Sequence, residues 1–168
     1  MLKKIISVVI LIGAILVWLA PIAMMPGFFI GGSTTPAPST WEDTSAIDEV
    51  RLKVRGTIPR VVIIWIVQVD SELYITGAKD SGWVTRLGDG GDVELRIGDN
   101  TYPVVAERQS EKLDKLIAAL YDKYRPNYPN IVSDMSKVST ESKPRESDSV
   151  STIYTGWGKY VIFKLARP

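Results

Sequence analysis

Twenty-one consecutive uncharged residues, Ile5 to Met25, constrain this chain more than any other feature of it. As a helix such a run extends about 31 Å, enough to cross a hydrocarbon core of roughly 30 Å. Lys3 and Lys4 precede it, whereas no Lys or Arg occurs from Pro26 to Val50, where Glu42, Asp43, Asp48 and Glu49 lie. The positive-inside bias therefore predicts a single-pass membrane protein with a cytoplasmic N-terminus and the remainder outside the cytoplasm. A cleaved secretory signal is the competing reading and would make the domain secreted. Its cleavage pattern is poor, because Pro21-Ile22-Ala23 places proline where a small residue belongs. The expected partner of residues 5–25 is thus the lipid bilayer.

The sequence divides into a cytoplasmic tip and anchor (1–26), a Gly/Ser/Thr/Pro-rich flexible tether (27–46) and a folded domain (47–168). In the domain, Val50, Leu52 and Val54 alternate with charged residues, the period of a half-exposed strand. Val61 to Val67 is β-branched and apolar on both faces, as in a buried strand. Asp70-Ser71 turns it into Leu73-Tyr74-Ile75. Val93 to Ile97 and Thr101 to Ala106 form a second hairpin around Gly98-Asp99-Asn100. An amphipathic helix follows Ser110, with Leu113, Leu116, Ile117, Leu120, Tyr121 and Tyr124 on its apolar face. Residues 130–151 are polar and read as a loop or disordered insertion, and Tyr160 to Leu165 is a closing strand. Mostly β with peripheral helices, this set predicts a small barrel behind the transmembrane helix.

Composition removes whole classes of chemistry. The 168 residues include no cysteine and no histidine, which excludes disulfides, Cys/His zinc sites, a Ser-His-Asp triad and a cysteine nucleophile. With 20 basic and 19 acidic residues there is no basic field for nucleic acid. Carboxylates show no diagnostic pairing, so no catalytic residue is assigned and no metal is expected. Trp41, Trp65, Trp83 and Trp157 are core or rim aromatics.

One loop stands out. Gly77-Ala78-Lys79-Asp80-Ser81-Gly82-Trp83-Val84-Thr85-Arg86 leaves a strand and enters a helix, bringing backbone N–H groups, a capping hydroxyl at Ser81, a lysine and an arginine to one place. That is an inventory for holding a phosphate. An ordinary capped turn with two solvated cations explains the same residues.

The run Pro59-Arg60-Val61-Val62-Ile63-Ile64-Trp65-Ile66-Val67, then Asp70 to Tyr74, then Gly77 through Trp83 and Leu87, resembles the flavin-binding split β-barrels, the pyridoxamine-phosphate-oxidase-like proteins. The nearest branch is the deazaflavin-dependent nitroreductase and quinone-reductase type, in which a lysine precedes a tryptophan by four residues as Lys79 precedes Trp83. Ala106-Glu107 and Tyr121-Asp122-Lys123-Tyr124 fit the same pattern. Arg86 stands where the family has asparagine, Gly88-Asp89-Gly90-Gly91 replaces a segment containing Asn-Pro, and only Arg55-Gly56-Thr57 remains of a basic, Gly-rich stretch.

The resemblance implies a split β-barrel with FMN or a deazaflavin coenzyme bound by Arg60, Gly77, Lys79, Ser81, Trp83 and Arg86. Split barrels of the resembling group often pair as homodimers across the cofactor site, and a tether next to the bilayer suits a quinone or other lipophilic acceptor. Two functional readings remain open: a membrane-tethered flavin- or deazaflavin-dependent oxidoreductase, and a non-enzymatic exported barrel that binds a partner or ligand at the membrane surface.

Overall fold

The computed structural model describes residues 2–19, 27–111, 113–136 and 158–168. Seven strands follow the first helix α1 (Leu2–Leu19): β1 (Ser33–Thr34), β2 (Glu49–Val54), β3 (Arg60–Val69), β4 (Glu72–Ala78), β5 (Gly90–Ile97), β6 (Asn100–Arg108) and β7 (Tyr160–Ala166). Between them lie α2 (Gly82–Leu87), α3 (Leu113–Tyr124) and α4 (Pro129–Ser136). Six strands close into an antiparallel barrel in the order β6-β5-β2-β3-β4-β7, with β7 returning to β6 through Ala106 opposite Leu165. The two-residue β1 runs parallel to the start of β6.

Closure explains the patterns along the strands. Val50, Leu52 and Val54 point into the barrel from β2, with the charged residues between them outside. Ile64, Ile66, Leu73, Ile75, Leu95, Phe163 and Leu165 fill the interior, joined by Trp83 and Leu87 of α2. The strand apolar on both faces is β3, because its outer face is covered as well. Val67 and Val69 pack with Leu116, Ile117, Leu120 and Tyr124 of α3, Val132 of α4 and Ile162 of β7. Each of these side chains contributes about 1.5–3 kcal/mol on leaving water, so the helix is held by its stripe. Asp70 and Ser71 both have positive φ, 52° and 64°, which is the twist a two-residue hairpin needs.

Residues 27–46, expected as a flexible tether, instead lie along the barrel, so the folded part begins at Gly27 and not near Ile47. Gly27 bridges Val61, the Ser33 N–H donates to the Asp99 carbonyl (2.8 Å), and the Thr35 N–H donates to the Thr101 carbonyl (2.9 Å). Ile30 and Trp41 are buried, and Trp41 meets Tyr102 edge-on at 5.2 Å. A composition window misses this because backbone groups and two isolated apolar side chains do the holding. The polar insertion is corrected in part as well: 130–136 belongs to α4, anchored by Val132. The remainder of that stretch and Trp157 lie outside the described residues.

Among the described residues, no helix is long and apolar enough to cross a membrane. The uncharged part of α1, Ile5 to Leu19, extends about 22 Å, and residues 20–25 of the run lie outside the description. Every side chain from Lys3 to Ile15 is exposed.

Candidate functional site

The structure distributes the six expected site residues over four environments. Gly77 and Trp83 belong to the core: the indole of Trp83 rests against Gly77 and beside Phe163, ring centroids 5.8 Å apart. Ser81 occupies the N-cap position of α2, yet its hydroxyl makes no cap bond and donates to the Ala78 carbonyl at 2.7 Å. The expected capping role is therefore replaced by closure of the turn that leaves β4. The residue order suits a cap, but the 78–81 turn takes the hydroxyl first, a local competition sequence alone does not resolve.

Lys79 faces one cavity, of about 280 Å³, formed where the end of β6 and the start of α3 meet β7. Its backbone N–H is fixed by the Lys159 carbonyl at 2.9 Å, while its ammonium has no partner among the described residues. Arg108, Ser110 and Tyr160 share the lining, and Leu113, Ile117, Val161 and Ile162 supply apolar walls. Arg108 reaches Asp89 at 3.1 Å across exposed surface, a pair that contributes little and leaves the guanidinium available. The arrangement is a cationic rim over an apolar floor, suited to an anion carried on an organic body. Arg108 went unassigned in the sequence. It lies two residues beyond Ala106, at the hairpin end that the family pattern singles out.

Arg60 and Arg86 line a second cavity, of about 210 Å³, with Gly27, Phe28, Ile58 and Pro59. The Arg60 guanidinium lies over Gly82 at the start of α2. Its Nε is closed off from solvent and has no hydrogen-bond partner among the described residues. Arg86 donates through one guanidinium nitrogen to the Ile58 carbonyl. These two residues are thus brought together with each other but line a different cavity from Lys79.

A third cavity, of about 580 Å³, is a structural seam. Its charged groups are already engaged: Lys123 donates to the carbonyls of Thr44, Ile47 and Ile66, Asp70 receives Lys115, and Asp43 receives the Ser45 N–H and hydroxyl. Burial holds the Lys123 ammonium below its usual pKa, with Asp48 and Asp43 pulling it back up. The hydrogen bonds from Ser45 lower the Asp43 carboxyl below its usual value.

No protein-family model and no curated protein sequence matches the chain. Among solved structures, it is similar to the crystal structure of conserved hypothetical protein Rv2991 from Mycobacterium tuberculosis, with a TM-score of 0.50 and 14% identity over 79% of this chain and 85% of that one. At that identity the likeness is one of fold: a six-stranded antiparallel barrel of the split-barrel type.

Proposed function

We propose that the domain is a membrane-anchored split barrel that binds a phosphate-bearing flavin or deazaflavin coenzyme and serves hydride transfer to a lipophilic acceptor such as a quinone. The observation that carries this reading is Lys79, whose ammonium has no partner among the described residues and stands at the rim of an apolar-floored cavity on a barrel of this type. A phosphate there would receive charge-assisted bonds from Lys79 and Arg108, while Ile117 and Ile162 meet the apolar part of the ligand. The barrel interior is filled by Ile66, Leu73, Phe163 and Trp83, so the ring system lies outside it. A cavity of about 280 Å³ takes the phosphate end only, and a second copy of the chain would complete the remainder. The coenzyme would supply the hydride chemistry, and the chain its binding and orientation.

The anchor is Ile5 to Met25, with the N-terminus cytoplasmic and the barrel outside. Support comes from α1, whose apolar side chains from Ile5 to Ile15 are exposed, an arrangement costly in water and natural in lipid. The full chain in detergent is expected to bind FMN or a deazaflavin with a change in visible absorption. Absence of binding to either sinks the proposal.

One observation favours the second reading, a non-enzymatic exported barrel. The expected cationic set is divided between two cavities, neither large enough for a whole coenzyme. A chain that binds no flavin but retains a partner at the membrane surface is the outcome this reading expects.

A further inference from the structure

The barrel is tied to the apolar run at very short range. The Gly27 N–H donates to the Val61 carbonyl at 2.9 Å, and the Val61 N–H donates to the Gly27 carbonyl at 2.8 Å. Only Pro26 separates Gly27 from Met25, the last residue of the proposed anchor. Two residues of chain reach at most about 7 Å, whatever their conformation. If the run ends at a bilayer surface, the end of the barrel holding Gly27 sits at headgroup level.

That end has the chemistry of an interfacial contact. Phe29 and Ile58 are 67% and 59% exposed, although most large apolar side chains of the domain are buried. Ile58 lines the cavity of about 210 Å³ flanked by Arg60 and Arg86, and Phe29 follows Gly27 and Phe28 of the same lining. Neither arginine pairs with a carboxylate among the described residues, in contrast to Arg55, which pairs with Asp92, and Arg108, which pairs with Asp89. Arg60 presents a guanidinium with an unmet buried Nε, and a cavity of this size admits a phosphodiester. Apolar side chains flanking arginines match the acyl boundary and the phosphate layer of an anionic membrane.

We infer that this end of the barrel seats on the surface of an anionic bilayer, with Phe29 and Ile58 at the acyl boundary and a lipid phosphate between Arg60 and Arg86. The inference rests on the anchor reading above and not on the coenzyme. It assigns Arg60 and Arg86 to the membrane and leaves Lys79 to the ligand cavity.

The absence of cysteine allows a unique label on the full chain. Chains carrying Ile58→Cys or, at the far hairpin, Ser71→Cys are labelled with nitrobenzoxadiazole and reconstituted into phosphatidylcholine vesicles with and without phosphatidylglycerol. Docking predicts blue-shifted emission and quenching by lipid-borne nitroxide at position 58 but not at position 71, strongest with phosphatidylglycerol and weakened by salt. Arg60→Gln and Arg86→Gln are each expected to weaken docking about fivefold, and Arg60→Lys to retain it. If the chain stays with the vesicles while both labels are equally water-exposed, docking is overturned and the anchor stands. If the chain does not stay with vesicles of either composition, the anchor fails and docking fails with it. Label burial at position 58 unaffected by both Arg→Gln changes overturns the phosphate assignment.

Discussion

A Cβ atom placed on Gly77 would come within 2.2 Å of Cζ2 in the Trp83 indole, so the glycine of β4 and the first buried side chain of α2 exist for each other. The Gly77–Trp83 spacing, which in the sequence suggests a ligand loop, is a packing device that closes α2 onto the barrel. Gly77→Ala should destabilise the domain by about 1–3 kcal/mol through overpacking. Trp83→Ala should cost about 3–5 kcal/mol through the cavity it leaves. Combined, the two should cost less than their sum, since the clash disappears with the indole. Denaturant unfolding of the four chains measures the coupling, and strict additivity would contradict the contact.

Tyr124 links α3 to the sheet. Its ring stacks on Trp65 with centroids 4.2 Å apart, and its hydroxyl accepts from the Ile66 N–H at 2.9 Å while facing the carbonyls of Ile66 and Asp48. Burial raises the phenol well above its usual pKa of 10.0, against the opposing hydrogen bond from Ile66. As pH climbs past 10 the unfolded chain releases this proton while the folded one keeps it, so stability falls in that window. Tyr124→Phe should lose about 1–3 kcal/mol at neutral pH, by leaving Ile66 N–H unpaired, and should show a shallower alkaline decline. Equal alkaline slopes for the two chains would refute the burial argument.

Lys123 works in the opposite pH direction. Its ammonium fastens the 44–47 segment through the Thr44 and Ile47 carbonyls at 2.9 and 2.7 Å. Because its folded pKa lies below the ordinary 10.5, the folded chain releases this proton before the unfolded one. Stability therefore rises with pH between the lowered value and 10.5, and that gain is lost as pH falls through the lowered value, where the ammonium's hydrogen bonds offset part of the cost of burying its charge. Lys123→Met should remove that dependence, cost about 1–3 kcal/mol and speed amide exchange selectively between residues 44 and 48. Uniform exchange across the whole barrel would mean that the lysine is not a local staple.

Most of the barrel was legible because its strands carry period-two patterns and its turns carry Gly or Asp-Ser signals. The double-sided apolar run of β3 announced burial on both faces, and the helical stripe from Leu116 to Tyr124 announced what covers the outer one. Residues 27–46 escaped notice, since Gly31 and Thr35 are held through main-chain atoms with no hydrophobic period to read. Locating the site was harder for a related reason. Lys79 and Arg86 are seven residues apart in sequence, but the turn at Ser81 and the short α2 aim them at different cavities.

At the far hairpin, Ser71 adopts φ 64° without the freedom of glycine. Replacing it should relieve a left-handed conformation that costs a residue with a Cβ roughly 1–2 kcal/mol. Asp70 has φ 52° but is worth keeping, since Lys115 reaches both of its carboxylate oxygens at 2.7 and 2.6 Å. Ser71→Gly is therefore expected to raise the melting temperature, and Asp70→Gly to gain less or nothing. A fall in melting temperature for Ser71→Gly would show that entropy lost from the unfolded state outweighs the turn.

Lys79 separates binding from folding. Its side chain is exposed and, among the described residues, has no partner, its contribution to the fold there being the backbone bond with Lys159. Lys79→Ala should leave the melting temperature of the ligand-free chain nearly unchanged. If the cavity beside Arg108 holds a phosphate, the same change removes a charge-assisted bond of about 1.5–3 kcal/mol, or roughly 10- to 100-fold in affinity. Ser81→Ala is expected to behave in the reverse manner, losing about 1 kcal/mol of stability with the Ala78 bond while leaving affinity close to that of the parent. Titration of FMN and a deazaflavin into the three chains, with melting curves of each, distinguishes the two patterns. Equal coenzyme affinity for Lys79→Ala and the parent chain would remove this cavity from the binding site.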